Sequence, residues 1–289
     1  MGGPGPDSVT NMTAGTAGAP PASAGARLTA LLTAAHGPPA LAVTVLAGLL
    51  SVAAGHDRST TLLVVSAVLT GQLTIGWSND LIDLDRDRAV SRSDKPLVTG
   101  ALPVLWVRAG CALAVAATVP LSLLCGVGAG ALHLAAVAAG WAYNLGLKRT
   151  WWSWLPYAVA FGALPAFVSL AGPGGEVPPW WWPVGGALLG VGAHLLNVLP
   201  DLADDEATDV RGFPHRLGPR RIPGVAATVL LGASTAILVG SEVPLVPGLV
   251  TGALLLALGT VVVTRTGKVP FAAAVGIALV DVVLLVAAR

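Results

Sequence analysis

Two short acidic segments carry side chains that could do chemistry together. The first reads Asn79-Asp80-Leu81-Ile82-Asp83-Leu84-Asp85-Arg86-Asp87. The second runs from Asn197 through Asp201, Asp204, Asp205 and Glu206 to Asp209. Both contain Asn-x3-Asp-x3-Asp, 118 residues apart, and together they hold most of the fifteen acidic residues. A four-residue step returns to nearly the same helical face, so Asn79, Asp83 and Asp87 form one stripe flanked by Asp80. Asn197, Asp201 and Asp205 form another, which Asp209 would extend by a turn. A solvated helix end would not repeat one spacing with Asn at the same offset. Facing rows of carboxylates repel unless cations separate them. Hard divalent cations take carboxylate oxygens, and Mg2+ shares its shell with phosphate oxygens. The pattern therefore points to a Mg2+-diphosphate site. Basic residues near these segments suit the phosphates: Arg86, Arg88, Arg92 and Lys95 after the first, and Lys148 in Tyr143-Asn144-x3-Lys148.

The elements that position these side chains are apolar. The chain is 54% hydrophobic and 11% charged, with mean hydropathy +0.77. A soluble domain carries about 25% charge. Nine apolar runs near bilayer-spanning length cover about 36–55, 60–79, 104–124, 126–144, 152–171, 180–200, 222–240, 244–264 and 269–288. Backbone in lipid must satisfy its own hydrogen bonds, and strand-like alternation is missing, so the expectation is an all-α membrane protein of nine transmembrane helices in one bundle. Residues 1–26, rich in Gly, Ala, Pro, Ser and Thr, read as a disordered tail without the basic start of a signal peptide; 27–289 form the membrane domain.

Charge sets the orientation. With nine spans, Arg27, the basic residues from Arg86 to Lys95, Lys148, Arg149, the arginines between 211 and 221, Arg265 and Lys268 share one side. Arg58 and Arg289 lie opposite. The positive-inside rule puts the N-terminus and both acidic segments in the cytoplasm and the C-terminus outside, as expected for a bacterial cytoplasmic membrane. Trp151, Trp152, Trp154 and Trp180–Trp182 fit interfacial belts. Cys111 and Cys125 read as apolar filler. Asp281 is the acidic residue deep in a span, toward the external half. It should be neutral or bonded to a Ser, Thr or His on a neighbouring span. The repeat of the acidic motif four spans apart hints at a duplicated unit.

These motifs resemble those of the UbiA superfamily of intramembrane prenyltransferases. Asn79-Asp80-x2-Asp83-x3-Asp87 is similar to its first signature. Asp201-x3-Asp205, after Asn197 and before Arg211-Gly212 and Leu217-Gly218, is similar to its second. Tyr143-Asn144-x3-Lys148 and Lys95-Pro96-Leu97 with Gly100 resemble further elements, and the resemblance spans about 27–289. It implies transfer of an isoprenoid chain from a prenyl diphosphate to a lipophilic or aromatic acceptor in the membrane. Asp83, Asp87, Asp201 and Asp205 would be catalytic. Asn79, Asp80, Asp83, Asp87, Asp201, Asp205 and Asp209 would hold Mg2+. Asn79, Arg88, Lys95, Tyr143, Asn144, Lys148 and Asn197 would bind substrate. Asp209 stands where many relatives have Gly. The segment around His36 lacks the Arg that some benzoate-type members use, which argues against a hydroxybenzoate acceptor. A class I terpene cyclase on the same fold, a divalent-cation transporter and a CDP-alcohol phosphotransferase are the alternatives. The Asp-Gly-x2-Ala-Arg string expected of the last is absent from the sequence.

Overall fold

The structure, a computed structural model, describes residues 23–287. Residues 1–22, nearly all of the expected tail, lie outside the described residues. The described chain is helical, with no strand. It opens with α1 (Ala24–Ala34), capped by the Ser23 side chain, which accepts from the Ala26 N–H. Helix thus begins slightly before the expected boundary at Arg27. His36, in the left-handed region at φ 54°, turns the chain into α2 (Gly37–Ala53), and the two axes meet at 73°. Next come α3 (Arg58–Ile82) and the short α4 (Leu84–Ala89) and α5 (Pro96–Thr99), then α6 (Val104–Leu124) and α7 (Val127–Leu145). Two 3-10 turns, Leu147–Arg149 and Trp151–Trp154, lead into α8 (Leu155–Leu170). After α9 (Trp181–Val198), a 3-10 turn at Leu199–Asp201 leads into α10 (Leu202–Ala207). The chain ends with α11 (Phe213–Leu217), α12 (Ile222–Gly240), α13 (Leu245–Thr264) and α14 (Val269–Ala287).

Each expected apolar run coincides with a helix. Among the described residues, six helical stretches are long and apolar enough to cross a membrane, α8 counted with the 3-10 turn before it and α9 with the turn and α10 after it, and the bent α1–α2 pair would make a seventh. The α7 helix carries His133, Tyr143 and Asn144, which lower its hydropathy. It buries His133 against Ser122 of α6, with Oγ and Nδ1 2.8 Å apart.

Lipid tails are as apolar as leucine, so these helices hold together by close packing rather than by exclusion from water. Against α8, α9 presents Gly186 and Gly190 in a small-x3-small spacing. A Cβ at either would overlap the carbonyl oxygen of Phe161 or Tyr157, so the backbones meet directly. Polar clamps fix α7 on α3. Trp141 Nε1 donates to Thr74 Oγ1 at 3.2 Å, and Asn144 Nδ2 donates to Ile75 O and Ser78 Oγ, both at 2.9 Å. The result for function is that the C-terminal ends of α3, α7 and α9 come together.

Candidate active site

The first acidic segment is the end of α3 plus α4. Asp83 caps α3, and the Asp87 N–H donates to Asp83 O at 2.8 Å, so the helical path runs on across the junction. This keeps Asn79, Asp83 and Asp87 on one inward face. Asp80, Asp83 and Asp87 are all buried, at 1%, 1% and 3% exposure. Each meets a cation. Lys148 Nζ lies 2.5 Å from both Asp83 oxygens, and Arg86 donates to Asp83 at 3.1 Å. Arg86 also sits 3.5 Å from Asp87. Lys95 Nζ donates to Asp80 Oδ1 at 2.5 Å, and His36 Nε2 lies 3.2 Å from the same oxygen. Asn79 Nδ2 donates to Asp83 at 3.0 Å and to Asn144 Oδ1 at 3.3 Å.

Such burial competes with the charges. It pushes the Asp87 carboxyl up, against the pull of Lys95 and Arg86. It pulls the Lys148 ammonium down, opposed by Asp83.

The second segment lies in the turn after α9 and in α10. Two arginines reach it from the first segment. Arg86 NH1 stands 3.6 Å from Asp205. Arg92 NH1 stands 3.3 Å from Asp201 and 3.9 Å from Asp204. Arg92 also forms a two-pronged pair with Asp94, both contacts 2.9 Å, and these bonds hold the Asp94 carboxyl down at about 2. His215 of α11 places Nε2 3.9 Å from Asp205. The backbone after the second segment docks on the Lys148 turn. The Phe213 N–H donates to Ser153 Oγ at 2.9 Å, and a Cβ on Gly212 would run into the Lys148 carbonyl.

Beside this junction stand aromatic rings. Tyr143 meets Tyr157 edge-on at 5.3 Å and His194 at 5.7 Å. Tyr157 stacks on Phe161, and Asn197 Nδ2 donates to its hydroxyl at 3.2 Å.

The structure thus brings Asn79, Asp80, Asp83, Asp87, Lys95, Asn144, Lys148, Asp201 and Asp205 to one end of the bundle, with Tyr143 and Asn197 in the adjoining aromatic group. It sets two of the expected residues apart. Arg88 turns outward and pairs with exposed Asp85 at 3.3 Å, because neither residue lies on the helical face of Asp83 and Asp87. Asp209 does not extend a helical stripe. The α10 helix stops at Ala207, and Asp209 sits at φ 61°, 95% exposed, 3.8 Å from Arg211. The bridging cations are Arg86 and Arg92, and His215 joins them. The register of Arg86, three residues after Asp83, was the available signal for the first; nothing local marked His215.

Among the described residues, no three His, Cys or acidic groups stand arranged to hold an ion, because lysines and arginines lie between the carboxylates. The donor set nonetheless suits a hard cation. It is made of oxygens from two facing rows. Asp80 Oδ2 is buried without a hydrogen-bond partner among the described residues, and Arg86 puts positive charge at the meeting point of the rows.

A bundle of apolar helices with paired acidic segments at one end marks an integral membrane protein. The family model of the UbiA prenyltransferase family matches residues 40–280, and the chain belongs to that family. Solved structures share the fold at low identity. A UbiA homologue from Archaeoglobus fulgidus bound to GPP and Mg2+ is 16% identical, with TM-score 0.67 over 90% of this chain and 99% of that one. The apo form of a homologue from Aeropyrum pernix K1 is 17% identical, with TM-score 0.70 over 86% and 98%. A structure from work on digeranylgeranylglyceryl phosphate synthase in membranes is 16% identical, with TM-score 0.62 over 91% and 96%. No curated protein sequence gives a significant match.

Proposed function

We propose that the protein transfers an isoprenoid chain from a prenyl diphosphate to a lipophilic or aromatic acceptor in the membrane. The observation that carries this reading is the meeting of the two acidic segments through Arg86 and Arg92, with Lys148 and Lys95 seated on the first. The binding of GPP and Mg2+ by the Archaeoglobus fulgidus homologue supports it. Asp83, Asp87, Asp201 and Asp205 would hold Mg2+, with Asn79, Asp80 and Asn197 at their flanks. The metal would supply Lewis-acid stabilisation of the departing diphosphate.

This chain's own residues do the rest. Arg86, Arg92, Lys148 and Lys95 offer donors to the diphosphate oxygens as the allylic C–O bond breaks and its electron pair leaves with the phosphate. The faces of Tyr143 and Tyr157 steady the allylic cation. The surrounding helices keep water from quenching it. An acceptor carbon or oxygen then forms the new bond to the allylic carbon and gives up its proton to the released diphosphate.

The aromatic group also favours a second reading, a class I cyclase in which the cation is attacked by the chain's own double bonds. One assay separates the two. Purified protein is incubated with prenyl diphosphates of several lengths, with and without acceptors, and lipid products are read by mass spectrometry. Prenylated acceptor supports transfer, and a cyclic hydrocarbon formed without acceptor supports cyclisation. Activity should vanish in EDTA and return with Mg2+. Absence of diphosphate release from every donor overturns both.

Nine spans, with the acidic segments in the cytoplasm and the C-terminus outside, remain the topology we favour from the charge distribution. Reporters near residues 150 and 215 should read cytoplasmic and a C-terminal one external.

A further inference from the structure

Away from the acidic segments, α2, α8, α9, α12 and α14 line a partly open cavity of about 50 Å³. Trp182, in its wall, starts α9, whereas Asn197 ends it, a separation of about 22 Å at 1.5 Å per residue. The wall is apolar apart from two groups, Asp281 and the Trp182 indole. Ser234 Oγ donates to Asp281 Oδ2 at 2.8 Å, which supplies the polar partner expected of a neighbouring span. The other oxygen, Asp281 Oδ1, and the indole Nε1 have no hydrogen-bond partner among the described residues. Asp281 is 0% exposed and Trp182 8%. Buried polar groups normally find partners, so two orphans in one apolar wall call for a reason.

A hydroxyl answers both groups. Its oxygen accepts from the indole N–H, and its hydrogen goes to Asp281 Oδ1. A hydrocarbon answers neither. The volume has room for a compact polar group and the first few carbons behind it, not for a whole lipid. We propose that this cavity binds the hydroxyl end of a lipophilic alcohol or phenol, the remainder of which passes out between the helices. The inference rests on the cavity alone and holds whichever reaction the acidic segments perform.

The test uses the full chain purified in detergent, with binding followed by ligand-dependent shifts in melting temperature. The probes are farnesol and 4-nonylphenol, with β-farnesene as the hydrocarbon control. Both hydroxylated probes should bind at least about tenfold more tightly than β-farnesene, the scale of one buried hydrogen bond. Trp182→Phe keeps a ring but removes the N–H, and should erase most of that preference. Asp281→Leu should erase it too, whereas Asp281→Asn, which still offers an accepting oxygen, should retain it. If Asp281→Leu does not fold, Trp182→Phe still reads the site. Equal binding of farnesol and β-farnesene to the wild type, as expected if the cavity merely holds water, would overturn the proposal. So would an undiminished preference in Trp182→Phe.

Discussion

Asp83 and Asp201 occupy equivalent places in the two Asn-x3-Asp-x3-Asp strings, yet the Asp83 side chain is 1% exposed and that of Asp201 44%. The surroundings differ in kind. The first row has cations of its own, with Lys148 on Asp83 and Lys95 on Asp80. The second row borrows its cations, Arg86 and Arg92, from the first. The same spacing therefore serves two tasks. One row is buried and firmly held, its desolvation offset by permanent partners. The other is a more open half that engages through two arginines. The comparison teaches that spacing selects which side chains share a face, whereas depth and neighbours decide how firmly they are held.

The sharpest way to break that comparison is to remove one carboxylate from each row. Asp83→Ala and Asp201→Ala should each cut turnover about 100- to 1,000-fold, the range seen when one charge-stabilising group is lost at a reacting centre. They should differ in stability. Asp83→Ala strands Lys148 as a buried, unpaired charge, a loss of about 3–5 kcal/mol. Asp201→Ala removes a half-exposed partner of Arg92, worth under about 1 kcal/mol. Initial rates of diphosphate release and melting temperatures in detergent measure both effects. Equal destabilisation by the two variants would remove the distinction between the rows.

Arg86 joins the rows, so its loss should fall next in size. Arg86→Met removes charge-assisted contacts to Asp83, Asp87 and Asp205. Only the Asp83 contact, at 3.1 Å, is a hydrogen bond, and at about 1.5–3 kcal/mol for one such bond turnover should drop about 10- to 100-fold. Arg86→Lys should recover little, because an ammonium cannot span several carboxylates as a planar guanidinium does. A full recovery in Arg86→Lys would reduce the bridge to simple charge.

A smaller effect concerns the hold of Arg92. Its hydrogen bonds keep Asp94 near 2 rather than the ordinary 3.8. A carboxyl with a depressed folded-state value contributes stability that is complete above its unfolded value and is lost as pH falls through the folded one. The window is thus about pH 4 down to pH 2. Melting temperature should fall across it in the wild type, and Arg92→Met should flatten that component. The change is modest, because the Asp94 side chain is 61% exposed. An identical acid limb in Arg92→Met would assign it to other carboxylates.

Much of this was legible in the residues. The apolar runs located every long helix because lipid leaves the backbone no other partner. The repeated spacing picked out both acidic segments, and Asp83, Asp87, Asp201 and Asp205 do converge. What the string does not carry is handedness beyond one turn. Arg88 and Arg86 are equally basic and two residues apart, yet only Arg86 lies on the inward side. The 73° corner at His36 was also hidden, since it depends on a left-handed residue at the seam between two apolar stretches. The Asp80–His36–Lys95 contact follows from that corner. His215 was invisible for a similar reason, because its approach to Asp205 arises from the folding back of α11.

Asp209 gives the finest test of the difference between the rows. By spacing it continues the second stripe, and by structure it leaves it. It sits at φ 61° after α10 has ended, with its carboxylate in solvent beside Arg211. Left-handed backbone costs a non-glycine residue roughly 1 kcal/mol, somewhat less for Asp. Its exposed ion pair returns under about 1 kcal/mol. These terms nearly cancel, so Asp209→Gly should change melting temperature little. With no carboxylate removed from the junction, turnover should stay within about twofold, against the losses expected at Asp83 and Asp201. A collapse of activity in well-folded Asp209→Gly would mean that the loop closes to bring this carboxylate inward with substrate. The second row would then be deeper in its working state than Asp201 alone suggests, and the two halves of the site would be more alike than the resting structure makes them.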